Sequence, residues 1–282
     1  KHFDSGWDDY KPSNPLYPIH LWLISMDDQD KERYERIGIS DFEKEIEVPS
    51  YSGRNPITDK ETKHYVANTV PWFEYMQGRD PSYPEKALKA NYQLIIQQLE
   101  KMNSPDGDPY NWISDGYSLG ELSTIHKWQE MCPVYPEALV QLTLGSPVHL
   151  SHGGLQHARV RYYDAARRRP GLPKDVSALV EQITDTLITL TLINLNPFES
   201  REVIIQAGGF GEHVFQEAEI LGIDDHPQDT SRVQNTWLKV ELGAAAGIKL
   251  KLSMKRYVNK PSYRTPWNEQ PAVPLIIGRQ IS

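Results

Sequence analysis

Carboxylates set beside aromatic rings are the first residues in this chain with chemical potential. Near the front stand Asp4, Trp7, Asp8, Asp9 and Tyr10, followed by His20 and Trp22. Aromatic faces stack on the C–H faces of a sugar ring, and two carboxyl groups can divide the acid and base roles of glycosidic cleavage. A second set comprises Trp72, Glu74, Tyr75, Asp106, Asp108, Trp112 and Asp115. Asp8, Asp9 and Glu74 are therefore the candidate acid/base residues, and Trp7, Trp22, Trp72 and Trp112 the candidate stacking platforms. The competing reading is an aromatic-rich loop packed on helices. Asp106-Gly107-Asp108 has the acidic spacing of a calcium turn but lacks the closing glutamate, so it reads as a helix-stopping turn.

Three imidazoles lie close together in His149, His152 and His157, around Gly153-Gly154. Neutral imidazole suits zinc and other transition metals, but the spacing matches no strong signature and a glycine turn need not make the rings converge. His149 and His152 are also candidate substrate contacts, with Arg161 as a third. A local basic cluster, Arg159, Arg161, Arg167, Arg168 and Arg169, has two uses. It can hold a carboxylate-bearing substrate such as a uronic acid, or pair with the acidic surplus of the chain. Gly208-Gly209-Phe210-Gly211 resembles a phosphate cradle only in composition, because it lies between strands and opens no helix. A glycine turn or bulge is the plainer reading. Glu212 and His213 could form an acid/base pair, but neighbours on a strand point to opposite faces. There is no Gly-x-Ser-x-Gly motif and no P-loop.

The elements that must position these groups are constrained by composition. Of 282 residues, 39% are hydrophobic and 24% charged, so a packed core is expected. A net charge of −8 argues against nucleic acid as a partner, since phosphate binding needs a basic surface. No apolar run is long enough to span a bilayer. The single cysteine, Cys132, excludes an internal disulfide and fits a reducing cytosol as well as bacterial export. A periplasmic or secreted setting is favoured. The first residue, Lys1, is not a methionine, which fits a processed product.

Helical periodicity is confined to residues 1–145. It predicts a helix over 18–25, with continuation after Asp27 through Arg36 left open, and helices over 83–102, 119–128 and 136–144. In the longest, Ala87, Leu88, Tyr92, Ile95, Ile96 and Leu99 form one apolar stripe, and Pro84 suits the first turn. After Gly145 the period changes from 3.6 to 2. Strands are expected over 156–163, 187–195, 201–206, 212–220, 236–242 and 248–258. In the last, Ile248, Leu250, Leu252 and Met254 face one way and Lys249, Lys251, Ser253 and Lys255 the other. The expected fold class is α+β: a helical region over 1–145, then an antiparallel β-sandwich over 146–282.

The stretches His126-Lys127-Trp128 and Pro136 to Leu142 resemble the end of an (α/α) toroid. Thr189 to Leu195, Arg201 to Gln206 and Trp237 to Leu242 resemble the β-sandwich that often follows one. Bacterial polysaccharide-active enzymes, both glycoside hydrolases and lyases, share this arrangement. The resemblance implies a C-terminal portion, or processed subunit, of a carbohydrate-active enzyme with a carbohydrate substrate. No catalytic residue carries over from it. A complete toroid needs more helices than this chain has room for, which implies a companion polypeptide or an upstream region. No cofactor, no nucleic acid and no membrane are expected. Two alternatives stay open: a non-catalytic accessory or interaction subunit, and a metal-dependent enzyme using His149, His152 and His157.

Overall fold

The computed structural model describes residues 2–3, 6–7, 16–37, 69–108, 110–111, 132–134, 136–146, 157–222, 224–268 and 271–275. The fold is α+β, with helices in the first half and a β-sandwich in the second. The helices are α1 (Leu16–Ser25), α2 (Asp28–Arg36), α3 (Thr69–Met76), α4 (Tyr83–Met102) and α5 (Glu137–Leu144). A short bridge pairs β1 (His2–Phe3) with β2 (Gly6–Trp7). The sandwich strands are β3 (Val160–Asp164), β4 (Arg169–Pro170), β5 (Val176–Ile183), β6 (Leu187–Asn194), β7 (Arg201–Ala207), β8 (Val214–Leu221), β9 (Pro227–Asn235), β10 (Trp237–Leu242), β11 (Gly247–Lys255) and β12 (Val273–Pro274).

The strand expected over 156–163 begins only at Val160, after a helical His157, and the residues between 146 and 157 lie outside the described ones; the compact units are also drawn differently from the expected halves. One unit comprises residues 1–39 with 140–282, the other 40–139. Within the first, α1 is tied to the sandwich by main-chain carbonyls that accept from arginines, described below.

Local rules account for the helix ends. Met26 has φ 57°, which stops α1, and the Asp27 carboxylate accepts the Gln29 amide at 2.8 Å to cap α2. The sequence left open whether one helix ran through this point; two do. Asp28 and Asp30 sit in the first turn of α2 and Arg33 and Arg36 in the last, complementing its dipole. After α5, Gly145 takes φ +63°, and a Cβ there would stand 2.9 Å from the Ile183 Cδ1. Only glycine ends this helix so close to β5.

The buried side of α4 is offset from the expected stripe and shares Ala87 with it. Leu88, Tyr92 and Leu99 are 43%, 65% and 44% exposed, whereas Tyr83, Ala87, Leu94 and Gln98 are buried. Helix α3 has all eight residues buried, so its sequence carries no one-sided periodicity.

One sheet of the sandwich runs β12-β10-β7-β3-β4, the other β5-β6-β11-β8-β9. All pairings are antiparallel except β10 with β12. The core forms where the two inner faces meet: Val160, Tyr162, Val203, Ile205, Leu238 and Val240 from the first sheet, Ile188, Leu190, Leu192, Phe215, Leu250 and Leu252 from the second, all at most 2% exposed. Each such aliphatic side chain contributes about 1.5–3 kcal/mol by leaving water. Strand β11 alternates as its sequence requires. Its outward lysines pair across the wet face, Lys249 with Glu181 and Asp225 at 2.8 and 2.7 Å, and Lys251 with Glu219 at 3.1 Å. The outer face of the first sheet carries Tyr163, Ile204 and Trp237, covered by Trp267 and Ala272 from the segment after β11.

Candidate functional site

A groove of about 1000 Å³ opens on the sandwich where three segments meet. One is the glycine-rich loop after β7. The second is the crossing from β9 to β10. The third is the strap that follows β11, residues 258–264.

The loop is built around its own carboxylate. Gly208 takes φ +84° and Gly211 φ +69°, conformations that side chains oppose. Glu212 folds back so that Oε2 accepts the Phe210 amide at 2.7 Å. A Cβ on Gly208 would lie 2.5 Å from that carboxylate. The nest of amides that a phosphate would need is thus occupied by Glu212, which is the physical reason the loop is a turn and not a phosphate cradle. Burial pushes the Glu212 carboxyl above its usual range, opposed by the loop amides and by the Arg159 cation.

The strap is sewn to this loop. Val258 and Asn259 both donate their amides to the Glu212 carbonyl, at 2.9 and 3.2 Å, and Ser262 donates to the Phe210 carbonyl at 2.9 Å. The Asn259 side chain donates to the Gly211 carbonyl and the Thr236 hydroxyl, at 3.0 and 3.1 Å. Thr236 alone separates β9 from β10, so the chain changes sheets at that residue. Gln234, two residues before it, has φ 50°, and Tyr257, just before the strap, has φ 53°. Non-glycine residues held there carry a cost that the surrounding structure must over-determine.

Gln206 fixes the floor. Its carbonyl oxygen accepts from the Tyr163 hydroxyl at 3.0 Å and the Trp237 indole at 3.2 Å, and its amide donates to the Gly208 carbonyl at 3.0 Å. Above it the lining is polar: Gln234, Asn235, Thr236, Asn259, Lys260 and Arg264. Phe210 lines the groove, and Tyr263, 84% exposed, meets it edge-on at 5.5 Å. No aspartate or glutamate lines the groove among the described residues.

Behind the strap lies a buried network. His213 is 1% exposed, and its Nδ1 accepts the Tyr257 amide at 3.1 Å. Burial and the Arg159 cation push this imidazole down to about 4, so the neutral, accepting form is the resident one. Arg159, 2% exposed, donates to the Leu23 carbonyl, and Arg256 donates to those of Ile24 and Ser25 at 2.9 and 3.1 Å. Two cations thus serve the open carbonyls at the end of α1. Burial, then repulsion from Arg256, lowers Arg159 to about 10. Glu212 and His213 do come near each other, at 3.8 Å, but both are enclosed and neither faces the groove lining.

The residues singled out from sequence scatter. Trp22 and Trp72 are 6% and 0% exposed, so neither offers a ring face for stacking. Glu74 is also buried, and its two oxygens meet Arg79 at 2.7 and 3.1 Å. Arg161 is half-buried on β3, opposite Gln206 of β7, with its guanidinium 5.6 Å from the Tyr163 ring centroid and 3.4 Å from the Gly209 carbonyl. His157 lies 3.2 Å from His20, nitrogen to nitrogen, with the rings edge-to-face. Burial, the His20 ring and the Arg159 cation bring His157 down to about 4, and burial lowers His20. Asp8, Asp9, Trp112, His149 and His152 lie outside the described residues, as does the side chain of Trp7. Among the described residues no group of three or more His, Cys, Asp or Glu is arranged to hold a metal ion. No described helix is long and apolar enough to cross a membrane.

Sequence reasoning did not single out Gln234, Asn259, Lys260, Tyr263 or Arg264. The available signal was an aromatic and two cations in the proline-broken run Lys260-Pro261-Ser262-Tyr263-Arg264. No curated protein and no solved structure matches the chain. Residues 1–140 match the model of a family described as a domain of unknown function, DUF8034, a span that ends before β3 and so leaves the groove outside it.

Proposed function

We propose that the sandwich serves as a carbohydrate-binding module of a polysaccharide-active enzyme, with saccharide held in the groove beneath the 258–264 strap. The observation that carries this reading is the lining itself. Its amides and hydroxyls, with the exposed Tyr263 ring standing beside it against Phe210, match the alternating C–O–H and C–H surfaces of a sugar. Carboxylates, which cleavage by general acid and base requires, are absent from the described lining. The volume lies at the upper end of that of ligand clefts, room for a short stretch of polymer. The floor is pre-formed by Gln206, which limits the ordering cost of binding. On this reading bond cleavage belongs to residues elsewhere, including the companion polypeptide or upstream region that the toroid resemblance implies.

The test is affinity electrophoresis and calorimetry of the full chain against a panel of neutral and acidic polysaccharides. At least one polymer should bind, and Tyr263→Ala should weaken it by about tenfold, the value of one lost stacking contact. Failure of every polymer to bind, in a chain that melts cooperatively, would remove the reading.

A further inference from the structure

We infer that the exposed side of α4 is a self-association seam, along which a second copy of this chain lays its own α4 antiparallel.

The fold leaves a continuous apolar stripe uncovered on this helix. Leu88, Tyr92, Ile95, Leu99 and Met102 follow one another at intervals of four, three, four and three, the spacing by which one helix packs along another. Leu88, Tyr92, Leu99 and Met102 are exposed, as is the adjacent Ile96, and Ile95 is half-buried. Exposed apolar residues scattered singly are ordinary, but these run along the helix for about 21 Å. Folding uses a different side of α4, the one that carries Tyr83, Ala87, Leu94 and Gln98.

The stripe is complementary to itself. Turned end for end, a second α4 sets Leu88 against the partner's Leu99 and Tyr92 against the partner's Ile95. The two-fold axis repeats both contacts, so four successive layers are apolar on both sides. Met102 then reaches the partner's first turn, where the exposed Glu85–Lys89 pair, 2.6 Å apart, ends the seam in charge. A parallel pairing would instead stack Tyr92 on its own copy, set Lys89 beside Lys89 and Glu100 beside Glu100, and align the two helix dipoles.

The area also suits a second copy. Leu88, Tyr92, Ile96, Leu99 and Met102 together leave on the order of 400 Å² of apolar surface, and polar flanks supply about two-fifths of a typical interface. The total is then about 700 Å² per partner, close to the roughly 800 Å² of a standard stable interface. Because α4 is folded beforehand, pairing orders no backbone.

Sedimentation equilibrium of the full chain tests this, from about 1 to about 200 μM, the range of a modest interface. The mean mass should rise from 32.3 kDa toward twice that value. Y92E/L99E should weaken the association by about tenfold or more and leave the melting temperature of the dilute protein unchanged, since both side chains are exposed. Cysteines report the direction: with Cys132→Ser in both chains, L88C mixed with L99C should oxidise to a linked dimer, and neither alone should. Should Y92E/L99E misfold, the cysteine pair decides by itself. A single-chain mass at every concentration would overturn the inference. If Y92E/L99E then also lowered the melting temperature, the seam would be covered by another segment of the same chain. A dimer untouched by Y92E/L99E would place the association elsewhere and overturn it too. Linkage of L88C to itself would overturn the antiparallel arrangement.

Discussion

The carboxylate of Glu212 occupies the space that a methyl group on Gly208 would need, with 2.5 Å between them. A side chain at Gly208 therefore meets two obstacles, a displaced carboxylate and a φ of +84°. Gly208→Ala should destabilise the full chain by about 1–3 kcal/mol. Adding Glu212→Ala should return the part due to the collision and none of the part due to the dihedral. Denaturant melts of the single and double variants separate the two contributions. An unchanged midpoint in Gly208→Ala would mean that the loop does not enclose its own acid.

Acid should loosen the strap through His213. Its folded value is pushed down to about 4 from an ordinary 6.5, so between those values the unfolded chain binds a proton that the folded chain refuses. The contribution is complete above about pH 6.5 and is lost as pH falls toward 4, by up to roughly 3 kcal/mol. His157 shifts the same way and adds to the slope. Glu212, raised by burial, works in the opposite sense just above its ordinary value, because the folded state there holds a proton that the unfolded state has released. Asparagine at 213 supplies an acceptor near Nδ1 that does not titrate. His213→Asn should therefore flatten the dependence of the melting temperature on pH between 6.5 and 4. A parallel fall in both proteins would place the acid sensitivity elsewhere.

Glu74 offers a direct contrast between chemical and structural roles. It is 6% exposed and doubly joined to Arg79, whose side chain is 39% exposed. Breaking such a pair leaves a buried carboxylate or cation uncompensated. With discount for the exposed partner, Glu74→Ala should cost about 1–3 kcal/mol. Glu74→Gln, which keeps one acceptor, should cost less. Loss of polysaccharide cleavage with stability intact would instead give Glu74 the acid/base role that its sequence neighbourhood suggests.

What could be read from the chain depended on whether a residue's neighbours were local. Strand β11 was legible because Ile248, Leu250, Leu252 and Met254 alternate with polar residues and all four are buried. Helix α4 was legible in extent, from Tyr83 to Met102, because its cap and apolar content are local. Its direction was not, since a stripe does not say which side the protein will cover. Strand β9 escaped because only Val233 of Pro227–Asn235 is buried, as befits an edge strand. Helix α3 escaped because Pro71 reads in the sequence as a breaker, although a first turn tolerates it, and burial on all sides erases periodicity. The groove could not be read at all. Gln206, Thr236 and Asn259 are remote in sequence, and only sheet pairing and the strap's hydrogen bonds bring them together.

Because Thr236 is the sole residue between two strands of different layers, the groove is stitched to both halves of the sandwich. A guest lodged there touches the hinge by which one layer is fastened to the other, so occupancy acts as a staple. Its signature would be slower amide exchange in β9 and β10 together, with the two layers parting as one event at a higher temperature.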